Sequence, residues 1–211
     1  MGTVNLIFDL DGCLINSIEV QRQAFYGSYD RVVGDGMCPD FSEYLKHTGD
    51  SLPNIFRKMN LPVEMAEPYR EISCAAIDKI IINDEAIALI RRMKSEGSKI
   101  AICTGKDRYR TLDILKYYGI DDCFDAIVAS DDVSEPKPSG MSVLKAISDM
   151  GVKKETCIVI GDGYNDILSA RDAGVKVVLT LWYGDEGVSR EADYTAHTVA
   201  QLEEVLKKYK V

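Results

Sequence analysis

Residues 4–8, 99–103, 126–129, 157–160 and 175–179 are short, largely apolar runs, and the first four stop abruptly at polar side chains or glycine. Runs of that length suit strands buried on both faces, and their alternation with helix-patterned segments implies α/β architecture: a parallel sheet with helices on both sides. In such a sheet every strand ends on the same edge, where the outgoing loops form a crevice. Residues far apart in sequence are thereby expected to meet.

The first connection is unlike the others. After the run at 4–8, residues 18–33 carry Val20, Ala24, Phe25, Tyr29 and Val32 at helical spacing, and Gly34 and Gly36 stop them. Residues 39–49 put Phe41, Tyr44 and Leu45 on one face, and further helical patterns lie at 51–59 and 62–82, the last ending at Asn83. No strand-like alternation interrupts them. An insert of roughly sixty to seventy residues is larger than an ordinary α/β connection. The expected organisation is therefore a core from residues 1–16 and 83–211, and a small all-helical domain at 17–82 inserted after the first strand. Beyond it, helices are expected at 85–96, 107–118, 139–150, 164–173 and 199–209, and Trp182 and Tyr183 are assigned to core packing.

At 211 residues and 46% apolar content the chain can bury one full core with a smaller insert. Its net charge of -9 argues against a nucleic-acid surface, which needs clustered Lys and Arg. No stretch approaches the roughly 20 consecutive apolar residues of a membrane span, and no basic region with an apolar run opens the chain, so a cytoplasmic protein is expected. Six cysteines lie outside any C-x-x-C pair, and the two histidines have no metal-ligand spacing to them. All six read as structural; Cys13, beside the first acidic pair, is the one expected to reach solvent.

The residues at the strand ends carry the chemistry. The first run breaks at Asp9 and Asp11, whose side chains point the same way if the extended geometry persists, and two neighbouring anions call for a divalent cation or a shared proton. Gly12 permits a tight turn, and Asn16 or Ser17 can cap the next helix. The other strand ends bear Thr104-Gly105, the loop Pro136-Lys137-Pro138, and Gly161-Asp162-x-x-x-Asp166. Each alone has an ordinary role, as cap, turn or solvated charge. Together, in order and on one sheet edge, they supply what phosphoryl transfer requires: a carboxylate that can attack phosphorus, a metal site, and a hydroxyl, backbone N–H groups and a lysine for the transferring oxygens.

These four motifs resemble those of the haloacid-dehalogenase-superfamily hydrolases, and the likeness covers nearly the whole chain. It implies a Rossmann-like core and a C1 cap made by the helical insert. Carried over, it makes Asp9 the nucleophile and Asp11 the acid/base, with Thr104, Gly105 and Lys137 holding the phosphoryl group. Mg2+ would be bound by Asp9, the backbone carbonyl of Asp11 and Asp162, with Asp166 helping directly or through water; an all-oxygen site suits that ion.

Within that family a second aspartate like Asp11 argues for phosphate chemistry over dehalogenation. The stretch Gly161-Asp162-Gly163-Tyr164-Asn165-Asp166 is similar to phosphoglycolate-phosphatase-type hydrolases, whereas mutases resembling β-phosphoglucomutase usually carry adjacent acids there. A phosphomonoesterase is therefore favoured over a phosphomutase, and over a catalytically silent phosphate-binding module. The insert also resembles, more weakly, phosphatases associated with 3-amino-5-hydroxybenzoate and related antibiotic biosynthesis. The substrates implied are sugar phosphates, aminosugar phosphates or a small acid phosphate such as phosphoglycolate. Specificity is expected from the loop bearing His47, Gly49, Asp50 and Ser51, with Arg22, Lys46 and Arg57 as further contacts, and hinges near 14–17 and 82–85. Asn16 departs from the Asp that many relatives carry, and as an Asn it still caps a helix.

Overall fold

The computed structural model describes residues 3–183 and 191–209. In chain order the strands are β1 (Asn5–Phe8), β2 (Ile15–Asn16), β3 (Ile81–Ile82), β4 (Ile100–Cys103), β5 (Ala126–Val128), β6 (Cys157–Gly161), β7 (Lys176–Thr180) and β8 (Tyr194–Ala196). The α-helices are α1 (Ile18–Val32), α2 (Phe41–Leu45), α3 (Leu52–Lys58), α4 (Ala66–Ala75), α5 (Asp84–Ser95), α6 (Arg108–Tyr117), α7 (Met141–Met150), α8 (Tyr164–Ala173) and α9 (Val199–Lys208). Six strands form one parallel sheet in the order β5-β4-β1-β6-β7-β8, so β1 pairs on one side with β4 and on the other with β6.

The period of two in β1 divides the core. Leu6 and Phe8 point into a cluster with Ala86, Ile90, Leu115 and Leu202 of α5, α6 and α9. Ile7 points the other way, into a cluster with Val143, Ala146, Ile167 and Ala170 of α7 and α8. With helices on both faces, the central strand is buried along its whole length, as its apolar run requires.

Helices α1 to α4 surround a third cluster of their own, in which Phe25, Tyr44, Phe56, Met65 and Tyr69 are all but fully buried. Aromatic contacts tie it together: Phe41 stacks on Tyr44 with centroids 5.4 Å apart, and Tyr44 on Tyr69 at 5.9 Å. Where this helical unit leaves the core and returns to it, β2 and β3 pair antiparallel, Ile15 opposite Ile82 and Asn16 opposite Ile81.

Several expectations are corrected. The helical reading of 62–82 gives way at its end: α4 stops at Ala75, a 3₁₀ turn covers Ile77–Lys79, and Ile81–Ile82 is strand. Asn83 opens the next helix instead of closing the last, its Oδ1 accepting from the Ala86 N–H at 3.1 Å. The sheet has a further edge strand, β8, beyond the run at 175–179. Cys13 is fully buried, its Sγ 3.2 Å from Thr180 Oγ1. Trp182 packs against the core and donates from Nε1 to the Cys13 carbonyl at 3.2 Å, whereas Tyr183 is 40% exposed at the rim of the crevice. Among the described residues all six cysteines are free, and no helix is long and apolar enough to cross a membrane.

Candidate active site

Parallel pairing brings the ends of β1, β4 and β6 side by side, and hydrogen bonds across them pin the loops. The Asp9 N–H donates to the Ile160 carbonyl at 2.8 Å, and the Thr104 N–H donates to the Val128 carbonyl at 3.0 Å. Asp9, Asp11, Thr104 and Gly105 line one side of a pocket of about 420 Å³ that opens to solvent; Asp9, Asp11, Asp162 and Asp166 line the adjoining open space of about 730 Å³. Lys137 reaches the same point from the loop after β5. Its Nζ lies 3.1 Å from Asp9 Oδ1 and is also hydrogen-bonded to Asp166.

Asp9, Asp162 and Asp166 each offer an oxygen within 4.8 Å of the other two. Gly12, with φ +73°, makes that approach feasible, because a Cβ there would fall 1.8 Å from Asp162 Oδ2. Three crowded carboxylates are costly without cations. Burial, and the neighbouring Asp166 and Asp11 charges, push Asp9 up to about 7 against the pull of Lys137. Enclosure and the charges of Asp9 and Asp166 push Asp162 well above the usual carboxylate range. Burial works against the Lys137 charge, but Asp166 and Asp9 more than offset it and hold the ammonium firmly protonated. The Asp9 Oδ1 atom is buried with no hydrogen bond, since the nearby ammonium approaches it outside hydrogen-bonding geometry. One ammonium among three acids leaves negative charge over, and an all-oxygen donor set with an orphaned carboxylate oxygen fits a hard divalent cation.

Asp11 stands in a different setting. Lys106 Nζ is 3.0 Å from its Oδ2, and the Ser17 hydroxyl donates to its Oδ1. Burial would raise this carboxyl, but the Lys106 charge and the Ser17 hydrogen bond overcome it and hold Asp11 below the ordinary value. Ser17, expected as a helix cap, thus has its hydroxyl turned to Asp11, and Asn16 Oδ1 accepts from the Ile18 N–H at 3.2 Å instead.

The loop between α2 and α3 closes the crevice. Asn165 Nδ2 donates to the Thr48 carbonyl at 3.0 Å, and the Gly49 backbone lies so near Gly105 that a Cβ on Gly105 would sit 2.4 Å from the Gly49 carbonyl oxygen. Gly49 and Asp50 therefore line the pocket. The Asp50 carboxylate, however, is taken up locally by Lys58 at 2.8 Å, by the Ser51 N–H at 2.6 Å and by Asn54 at 3.0 Å. His47 is not among the residues lining the pocket or the adjoining space. Arg22 pairs with Glu19 over the Phe41 ring, Lys46 with Glu43, and Arg57 donates to Asn54, so these three expected contacts are held elsewhere on the helices.

Further residues share the pocket with Gly49 and Asp50. Lys106, Arg110, Gln21, Tyr44 and Tyr69 line the pocket wall. A signal for two of them was available: Lys106 directly succeeds the Thr104-Gly105 turn, and Arg110 lies four residues on, in the first turn of α6.

The haloacid dehalogenase-like hydrolase family matches the chain over residues 6–180. Among curated relatives, the pyrophosphatase PpaX of Halalkalibacterium halodurans is 32% identical over 208 residues, covering 95% of each chain. Among solved structures, a hydrolase from Pseudomonas syringae matches with TM-score 0.84 at 25% identity, over 98% of this chain and 99% of that one. A β-phosphoglucomutase from Clostridium difficile shares the fold, with TM-score 0.82 at 24% identity over 98% of this chain and 97% of that one. The chain belongs to the haloacid dehalogenase-like hydrolases, as an enzyme of phosphatase type.

Proposed function

We propose that this protein is a Mg2+-dependent phosphomonoesterase that passes the phosphoryl group of a small phosphorylated metabolite through Asp9 to water. The observation that carries this reading is the meeting of Asp9, Lys137, Asp162 and Asp166 at the end of β1, with Asp11, Thr104 and Gly105 on the wall of the same crevice.

A carboxylate oxygen of Asp9 attacks phosphorus as the bond from phosphorus to the leaving oxygen breaks, and Asp11 gives that oxygen a proton. Asp11, now ionised, takes a proton from water; the water oxygen attacks phosphorus of the acyl phosphate, Asp9 departs as a carboxylate, and inorganic phosphate is released. The Thr104 hydroxyl and the backbone at Gly105 orient the transferring oxygens, and Lys137 offsets their charge. Mg2+, held by Asp9, Asp162 and the Asp11 carbonyl with help from Asp166, would supply the remaining positive charge that lets an anionic nucleophile meet an anionic substrate. Lys106 and Ser17 favour the ionised Asp11 that activates water. For the donating half, the substrate's own anionic oxygens would draw Lys106 away.

Residues 17–82 act in this reading as a cap whose Thr48–Gly49 loop seals the crevice and excludes bulk water. Candidate substrates are sugar phosphates, aminosugar phosphates and phosphoglycolate; pyrophosphate joins them because a relative similar over 95% of this chain carries that activity in its name. The test is hydrolysis of p-nitrophenyl phosphate with Mg2+ by the native chain and by Asp9→Asn. A loss of at least several hundredfold is expected, on the order of what removing a nucleophile costs. Equal rates would remove the assignment. Conversion of glucose 1-phosphate to the 6-phosphate without release of phosphate would favour a mutase instead.

A further inference from the structure

On the wall of the crevice facing Asp9 sits a guanidinium that the proposed chemistry does not use. Arg110, at the start of α6, is 6% exposed and lines the pocket. Its Nε donates to Asp107 Oδ2 at 2.8 Å, and its guanidinium carbon stands 5.5 Å from the centre of the Tyr69 ring. Among the described residues Asp107 is the only hydrogen-bond or ion-pair partner of the Arg110 side chain, through Nε alone, so both terminal amino groups keep their donors. Asp107 is shared as well, because Arg70 Nε reaches the same oxygen at 3.1 Å. Arg70 has a second partner, Glu67 at 3.3 Å, whose side chain is 73% exposed and screened by solvent. Counted whole, the network balances two guanidiniums against two carboxylates, and what it leaves over is the unused terminal donors of the buried Arg110.

The neighbours complete a donor set. Lys106, just before the Asp107 cap of α6, lines the same wall, its side chain 8% exposed and its Nζ 3.0 Å from Asp11 Oδ2. The hydroxyls of Tyr44 and Tyr69 meet at 2.8 Å; one proton lies in that bond, and the other is left for an acceptor in the pocket. The acids on this wall are accounted for: Asp107 by two guanidiniums, Asp50 by Lys58, and Asp11 by Lys106.

We propose that Arg110, Lys106 and the Tyr44–Tyr69 pair form a subsite for a second anionic group on the substrate, carried by the leaving half of the molecule. The substrate class is then a small phosphate ester or anhydride with two anionic ends, a diphosphate or a phosphorylated short-chain acid. This deepens the phosphatase reading and rests on it. Arg110 is in this scheme a specificity-determining residue, Asp107 the positioning residue that holds its fork, and a planar guanidinium with two free amino groups suits a bidentate oxyanion.

Binding measured without turnover separates this subsite from the catalytic reading. Calorimetric titration in the presence of Mg2+ compares imidodiphosphate, 3-phosphonopropionate (the carbon analogue of 2-phosphoglycolate) and inorganic phosphate. The native protein is expected to bind at least one of the two bis-anionic probes roughly 30-fold or more tightly than phosphate, the order expected of charged hydrogen bonds in a buried site. The preferred probe identifies the second anion as phosphate or carboxylate. Arg110→Met should reduce the preference to within about threefold, and Arg110→Lys should restore part of it. Lys106→Gln leaves the Arg110–Asp107 pair in place, so it reports on the subsite should Arg110→Met fold poorly, and it too should lose most of the preference. A native preference near unity, or one unchanged in Lys106→Gln and in a folded Arg110 variant, overturns the subsite. Failure of the native chain to release phosphate from p-nitrophenyl phosphate, pyrophosphate and phosphoglycolate alike would instead overturn the phosphatase reading, and the titration would still decide the subsite.

Discussion

Lys137 Nζ lies 3.1 Å from Asp9 Oδ1 with both side chains sealed from solvent, 2% and 5% exposed, and the same ammonium also serves Asp166. Lys137→Met keeps the apolar bulk and removes the charge, leaving two buried carboxylates without their shared cation. Breaking such a pair costs roughly 3 to 5 kcal/mol, and loss of a charge aimed at the transferring oxygens costs about a hundred- to a thousandfold in rate. Thermal unfolding and p-nitrophenyl phosphate turnover of this variant should both fall by those amounts. Native-like stability would mean that the contacts of Lys137 with Asp9 and Asp166 contribute little to folding.

The acids around Asp9 also make stability depend on pH. A carboxyl that binds its proton more tightly folded than unfolded adds stability that is full below its unfolded value, about 4, and lost as pH rises through its folded value. For Asp9 the folded value is about 7, and Asp162 is shifted the same way. Asp11 and Asp107, held low, lose their contribution only on acidification below about 4 and so do not move in the same window. Metal-free protein should therefore melt progressively lower as pH rises from about 5 to about 8, and Mg2+ should restore the midpoint most at the upper end, where the ligands are ionised. Asp162→Asn should flatten both responses. Identical pH and Mg2+ dependence in native protein and Asp162→Asn would contradict the cluster's role.

Gly105 tests the closure of the crevice. An alanine Cβ there would meet the Gly49 carbonyl oxygen at 2.4 Å, a contact relieved only by moving the helical unit away. Gly105→Ala should leave the unfolding midpoint nearly unchanged, since the position is at the crevice and not in the core, while kcat/KM drops about ten- to a hundredfold as water enters. Asn165→Ala, which removes only the bond to the Thr48 carbonyl, should act in the same direction and more weakly. Full activity in Gly105→Ala would show that closure over Gly105 is not needed for turnover.

How far such features could be read in advance depends on which forces position them. Asp9, Thr104 and Asp162 each end a continuous apolar run, so burial of the strand fixes where its terminal side chain goes, and local pattern suffices. β2, β3 and β8 are two or three residues long and owe their strand geometry to a partner far away in sequence, as in Ile15 opposite Ile82, so no local period marks them. Arg110 reads locally as a solvated charge on an amphipathic helix, whereas in the fold it is buried, with its guanidinium over the Tyr69 ring. Of the expected specificity residues Gly49 and Asp50 line the pocket, but local partners were not legible: the Asp50 carboxylate is held by its own loop's N–H and Lys58, and Arg22 and Lys46 find acids one helical turn away. The helical patterns of the insert were legible from Phe25, Tyr44 and Leu45. Its contacts with the core at Gly105 and Asn165 depend on two backbones meeting, and composition carries no trace of that.

The most direct test of the central claim is to look for the phosphoryl group on Asp9. Protein mixed with Mg2+ and excess substrate, quenched in acid within the first turnovers and analysed by peptide mass spectrometry, should carry an added mass of about 80 Da, one phosphoryl group, on the peptide containing Asp9. Asp9→Asn should carry none, and with p-nitrophenyl phosphate, whose leaving group departs without a proton, Asp11→Asn should accumulate more than the native chain because its water is not activated. Turnover with no such adduct in either the native protein or Asp11→Asn, or an adduct on another residue, would contradict it.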